Sequence, residues 1–233
     1  MTKTLHLLCA GAAQGLVKAL APRLLAESGA TLGGRFGAVG AMKEALAAGE
    51  PCDLMVLTDA MVATLVAEGS LLQAGRAPLG RVRTGVAVRA GTPRPDVSTP
   101  EALAAALEAA DAIYFPDPQR ATAGIHFERV LRELGLLPAL QDRLRTFPNG
   151  ATAMRELAAS SSARPIGCTQ VSEILYTEGV ELVGALPARF ELATVYTAAV
   201  SARAADPDTA ARFIAMLAGP ESAALRGRCG FEA

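Results

Sequence analysis

Neither sign of charge prevails in this sequence: 22 Lys and Arg stand against 23 Asp and Glu, a net charge of −1. Without a basic excess nothing global draws nucleic acid or an anionic membrane, so electrostatic specialisation must be local. Closely spaced cysteines are missing too. Cys9, Cys52, Cys168 and Cys229 lie far apart with no CxxC spacing, three of them in apolar, strand-like surroundings. They read as buried free thiols rather than disulfides or zinc ligands. No stretch approaches the roughly 20 apolar residues of a membrane span, so no membrane insertion is expected. The opening MTKTLHLLCAGAAQG carries one lysine and an apolar run shorter than a signal-peptide core, and it leads straight into an amphipathic helix pattern. As written, the chain is expected in the cytoplasm, and in the periplasm if a signal precedes the numbered residues. There is no Ser-His-Asp order, HExxH, Walker A loop or paired-cysteine metal motif, so no metal or cofactor is expected.

What is present is a large apolar inventory. Of 233 residues 51% are hydrophobic and 19% charged, enough for one large or two small globular domains. Apolar, β-branched-rich runs at 4–10, 31–37, 53–58, 81–90, 112–115, 166–169, 181–186 and 193–202 read as strands. Helical patterns fall between them, near 13–28, 39–48, 60–68, 100–109, 122–135, 150–160 and 207–218. Pro100 and Pro207 follow Thr99 and Asp206, the pairing of N-cap and first helical residue that starts a helix. The alternation predicts an α/β fold with parallel sheet. Between Gly69 and Pro95 lie Arg76, Arg81, Arg83, Arg89 and Arg94 with no acidic residue, which reads either as a solvated strand edge or as a cationic wall.

Four strand-to-helix junctions share a composition: CAGAAQG at 9–15, GRFGAVGAMKE at 34–44, RATAGIH at 120–126 and FPNGATAM at 147–154. Small residues let backbone approach a ligand, and the first N–H groups of a helix, backed by its dipole, favour an anion. The same glycines and alanines also permit close packing of helix on sheet. In one junction Arg120 precedes the helix start and Thr122 can cap it; Asn149, Thr169 and Gln170 add amides and a hydroxyl, and Thr58 ends another strand. An arginine fork among amide and hydroxyl donors suits a planar carboxylate. A surface arginine paired with Asp117 explains Arg120 equally well.

Over nearly its whole length the chain resembles the periplasmic molybdate-binding proteins of ABC transporters, and more broadly type II solute-binding proteins. The residues that carry the resemblance are GLVKALAPRLLAESGATLGGRFGAVGAMKEALAAGEPCDLMVLTDAMVATLVAEGSL, AGIHFERVLRELGL, PIGCTQVSEIL and AARFIAMLAGPESAALRGRCGFEA. The resemblance implies an α/β, two-lobe type II periplasmic-binding-protein-like fold with crossing strands. It assigns residues 1–82 and 193–233 to a first lobe, 83–192 to a second, and an oxyanion to backbone N–H groups and hydroxyls between them. The family's serine near the end of the first strand is replaced here by Gly11-Ala12-Ala13, and its serine at the second junction by Ala38-Val39-Gly40. Ala123-Gly124 matches the family's anion-binding helix start, Gly150 falls at a backbone donor position, and Gln170 stands in place of a common tyrosine.

Loss of both serines makes a small polycarboxylate the expected ligand rather than molybdate. Two residues raise the possibility of catalysis: His126, one turn into its helix, and Glu173, three residues after Gln170, are candidate proton acceptors. Aconitate isomerase, which resembles this family, supplies the precedent of an allylic proton shift on a tricarboxylate. Packing at His126 and a helix-start carboxylate at Glu173 are the competing explanations. Two functions therefore stand: a small-anion-binding protein, with an ABC transporter permease as partner if exported, and a cytoplasmic isomerase of an unsaturated polycarboxylate. A cytoplasmic sensor that recruits a partner when occupied is a third.

Overall fold

A computed structural model describes residues 3 to 233. The chain divides into two compact units, one holding the residues up to Arg81 and from Thr194 onward, the other Val82 to Ala193. In the first, β1 (Lys3–Ala10) leads through a tight turn at Gly11–Ala13 into α1 (Gln14–Ser28). β2 (Ala30–Gly37), α2 (Val39–Ala47), β3 (Leu54–Thr58) and α3 (Asp59–Ala67) continue the alternation. The chain leaves this unit within β4 (Ala77–Arg89). The second unit adds α4 (Pro100–Ala109), β5 (Ala112–Pro116), α5 (Thr122–Glu133), α6 (Leu137–Leu140), β6 (Leu144–Phe147) and α7 (Gly150–Ala158), then β7 (Pro165–Gln170), α8 (Val171–Tyr176) and β8 (Val180–Ala185). β9 (Ala193–Val200) carries the chain back, and α9 (Pro207–Ala218) and α10 (Ala223–Arg228) complete the first unit.

Each unit has its own strand order. The first reads β2-β1-β3-β9, parallel across β2, β1 and β3, with β9 antiparallel to β3. In the second, β6, β5 and β7 run parallel, while β4 pairs antiparallel with both β7 and β8. The parallel sheet expected from the alternation is thus present in each unit, with β9 added antiparallel beside β3 and β4 beside β7. The segments α6, β6, α8 and α10 are not legible as elements: the helices run fewer than about two turns, and β6, LRTF, has no continuous apolar run.

Burial follows the apolar pattern. Leu7, Leu8, Leu54, Met55 and Val56 of the first sheet are closed off, as are Leu16, Val17 and Leu24 of α1 and Phe213 and Leu217 of α9. In the second unit Phe115 of β5 meets Phe127 of α5 edge to face, with ring centres 5.3 Å apart, among Leu103, Leu107, Ile113 and Ile166. A fully buried Leu or Phe contributes about 1.5–3 kcal/mol. Met154, Leu157 and Ile174 form a second apolar cluster with Ala87 and Ala153. No helix among the described residues is long and apolar enough to cross a membrane.

The Thr99 and Asp206 caps form as the sequence indicates. Thr99 Oγ1 accepts from the Ala102 N–H at 3.1 Å, and Asp206 Oδ1 from the Thr209 N–H at 3.2 Å. Cys9, Cys52 and Cys168 are buried free thiols; burial raises the pKa of each, that of Cys52 to about 12, so none is nucleophilic at neutral pH. Asp53, also buried, ties the first unit together. Its carboxylate accepts from the backbone N–H groups of His6 at 2.8 Å, Ala205 at 2.7 Å and Asp206 at 3.2 Å. Replacing it by alanine is expected to strand these donors and cost about 2–4 kcal/mol, each unsatisfied buried group costing about 1–3. Urea titration of Asp53→Ala checks this; an unchanged midpoint would show that water replaces the carboxylate freely.

Candidate functional site

In each unit three parallel strands lie side by side, so their carboxyl ends, and the helix starts that follow, fall along one edge. In the first unit the edge is formed by the ends of β1, β2 and β3, which brings together Gly11 and Ala12, Val39 and Gly40, and Thr58. In the second it is formed by β5, β6 and β7, which brings together Arg120 to Gly124, Asn149 and Gly150, and Thr169 and Gln170. In open parallel α/β sheets, ligands bind outside such strand ends.

The helix starts along these edges are capped unequally. Thr58 Oγ1 accepts from the Met61 N–H at 3.4 Å, and Asn149 Oδ1 from the Thr152 N–H at 2.8 Å, so α3 and α7 begin with side-chain caps. By contrast α1, α2 and α5 begin at Ala13, Ala38 and Ala121 with no side-chain cap, and Gly11, Ala12, Ala13, Val39, Ala123 and Gly124 around these starts are buried. A buried helix start without a cap leaves its first N–H groups seeking an acceptor. Here the structure corrects one expectation: Thr122 does not cap α5. It is the first helical residue, one position too late for its hydroxyl to reach back.

The loop before α5 is shaped by Asp117, whose Oδ1 accepts from the N–H groups of Gln119 at 2.7 Å and Arg120 at 3.2 Å. Asp117 therefore engages the backbone of Arg120. The Arg120 side chain itself is exposed. Gly124 is dictated by sterics. A Cβ there would overlap the carbonyl oxygens of Pro116 and Asp117, so only glycine lets α5 sit this close to the end of β5.

Both proposed proton acceptors are buried, in different ways. His126 Nε2 lies 2.7 Å from the Phe190 carbonyl and its Nδ1 3.2 Å from the Arg129 guanidinium. Because arginine only donates, Nδ1 accepts and Nε2 carries the proton, which leaves the ring no lone pair for a substrate. Glu173, 5% exposed, accepts from the Thr169 hydroxyl at 2.6 Å. Burial pushes its carboxyl above the ordinary carboxylate range; the Thr169 hydroxyl, then the N–H groups of Ala151, Gln170 and Gly150, oppose the rise. Gly150 is small for the same cluster, since a Cβ would overlap Glu173 Oε2 and Thr169 Oγ1.

Gln170 is buried, and in the orientation that satisfies its amide the nitrogen donates to the carbonyls of Val82 at 3.2 Å and Arg83 at 3.3 Å. Its amide nitrogen thus holds β4, which the sequence could not show. Two hydroxyls in this region, Thr84 opposite Gln170 and Ser172 beside Glu173, are buried without a hydrogen-bond partner among the described residues. On the first unit, Asp59 after Thr58 is held below the usual carboxylate range by Arg76 and then by Thr197, whose hydroxyl donates at 2.7 Å. Asp59 lies in the first turn of α3, where the helix dipole favours an acidic side chain. Among the described residues no group of three His, Cys, Asp or Glu side chains is placed to hold a metal ion.

Comparison with known proteins places this architecture. A profile described as bacterial extracellular solute-binding protein matches residues 5–232. Among solved structures, the periplasmic molybdate-binding protein of Azotobacter vinelandii superposes with a TM-score of 0.81 at 21% identity, over 98% of this chain and 99% of that one. The sulfate-binding protein SubI of Mycobacterium tuberculosis H37Rv gives 0.75 at 17% identity, over 98% and 86%. The fold is the type II periplasmic-binding-protein fold, as the resemblance implied. Among curated proteins, an aconitate isomerase from Pseudomonas sp is 27% identical over 226 residues, 94% of this chain and 84% of that protein. With nearly its whole length matched by the profile, the chain belongs to the bacterial extracellular solute-binding protein family.

Proposed function

We propose that the protein binds a small organic polycarboxylate, held in its second unit by the start of α5 with Arg120. The observation that carries this reading is the uncapped start of α5, where buried Ala123 and Gly124 follow Arg120 on the edge shared with Asn149, Gly150, Thr169 and Gln170. Helix-start N–H groups and the dipole select an anion, and the guanidinium fork suits bidentate binding of a carboxylate. The unpartnered hydroxyls of Thr84 and Ser172 add hydrogen-bonding capacity nearby. On the first unit Gly11, Ala12, Val39 and Gly40 offer backbone donors only, which disfavours molybdate. The molybdate- and sulfate-binding relatives support the anion class, and a relative named for isomerising aconitate, a tricarboxylate, supports the carboxylate. If the protein is exported, an ABC transporter permease is the partner that would take the ligand.

A second reading, an isomerase of an unsaturated polycarboxylate, is favoured by one observation. Glu173 is a buried carboxyl whose raised pKa suits proton transfer, whereas both ring nitrogens of His126 are engaged. A thermal-shift screen of molybdate, tungstate, sulfate and C4 to C6 carboxylates tests the first reading. A carboxylate at about 100 times its dissociation constant should add about 2.7 kcal/mol, a shift of roughly 5–10 °C for a chain of this size. Stabilisation by molybdate with none by any carboxylate would overturn it. Proton NMR of cis- and trans-aconitate incubated with the protein tests the second: interconversion supports it, and an unchanged spectrum removes it.

A further inference from the structure

Glu173 differs from an ordinary helix-start carboxylate in what surrounds it. Three elements, α7, β7 and α8, close around it, and what they turn towards it are dipoles: the Thr169 hydroxyl and the N–H groups of Ala151, Gln170 and Gly150. After burial, these dipoles and not a charged side chain are the main influences on it among the described residues. Its carboxyl therefore sits where two helix starts and a hydroxyl converge, shielded from water. The start of α5 follows β5, the strand that pairs with β7. Adjacent strands are about 4.8 Å apart, so an anion on the α5 start lies on the order of 10 Å from this carboxylate. At that separation, with water displaced, two like charges interact appreciably.

Resting on the anion reading above, we propose that ligand binding at this edge of the second unit is coupled to uptake of one proton by Glu173. The proton comes from solvent and converts the carboxylate to the neutral acid, which keeps one oxygen to accept from Thr169. The sign follows from charge. Burial already disfavours the ionised form, and a second negative charge disfavours it further, so the proton is held more tightly in the complex than in the free protein. Affinity is accordingly greatest at acid pH. It falls by up to about tenfold per pH unit between the free and bound pKa values of Glu173 and is level above them. Glu173 acts here as a positioning residue for charge, without touching the ligand.

Calorimetric titration with fumarate and with sulfate from pH 6 to 9, in buffers of different ionisation enthalpy, reads the coupled proton directly, because neither probe changes its own charge there. Wild-type protein should take up a fraction of a proton on binding, with weaker binding at higher pH. Glu173→Gln, neutral and of the same shape, should bind with no coupled proton and, at the highest pH tested, about tenfold more tightly than wild type. Binding without proton uptake, or a Glu173→Gln variant that keeps the wild-type pH profile, would overturn the proposal and leave the anion reading intact. Failure of both probes, and of every C4 to C6 carboxylate in the screen, to bind would overturn both.

Discussion

Replacing Gly124 by valine is expected to destabilise the protein by about 3 kcal/mol and to abolish ligand binding, and Gly124→Ala by a smaller amount of the same sign. Two effects oppose each other. Alanine in a helix interior is favoured over glycine by up to about 1 kcal/mol. Against that, a Cβ at this position meets the carbonyl oxygens of Pro116 and Asp117, backbone atoms that cannot rotate away, so α5 must lift from the end of β5. Overpacking of this kind costs about 1–3 kcal/mol and more for a branched side chain. The clash therefore wins for alanine by a narrow margin and for valine by a wide one. Because Ala123 and Gly124 also carry the N–H groups assigned to the ligand, lifting α5 removes the grip with the packing. Urea unfolding and calorimetry on both variants check the pair of effects. A stabilised Gly124→Ala would show that α5 does not rest on these carbonyls.

Arg120→Ala is expected to weaken polycarboxylate binding by about 10- to 150-fold. This is the loss of a charge-assisted hydrogen bond of roughly 1.5–3 kcal/mol. Arg120→Lys should recover only part of it, since an ammonium keeps the charge and loses the planar fork. Fold stability should change by less than about 1 kcal/mol, as expected for an exposed arginine whose loop is shaped through its backbone N–H to Asp117. Affinity unchanged in Arg120→Ala for the carboxylate that stabilises the wild type would remove the cation from the site and leave the α5 backbone as its main element. Lysine as effective as arginine would show that the charge, and not the planar fork, holds the ligand.

Sequence alone determined what is settled within a few residues. Thr99 and Asp206 cap their helices because each cap bonds an N–H three positions on, and the prolines that follow fix the first helical φ. The alternation of strand and helix, and the small residues at strand ends, were legible for the same reason: period and composition are local. β6 and α8 escaped because a four-residue strand broken by polar residues and a helix of under about two turns leave no pattern to read. What the candidate site does was decided by partners far along the chain. His126 is fixed by Phe190, 64 positions away, through a contact that a helical pattern cannot announce. Gly124 and Gly150 looked alike as residues that expose backbone. Tertiary packing gave them different tasks, one seated on the carbonyls that end β5 and the other clearing room for the Glu173 carboxylate. Glu173 itself read as the opening carboxylate of a single helix. Only the pairing of β5 with β6 and β7 sets the start of α7 against it, so that two helix starts and the Thr169 hydroxyl converge on one buried carboxyl. The physical division is one of range: hydrogen bonds that close within a turn are written in the sequence, whereas a buried charge depends on which strands lie side by side.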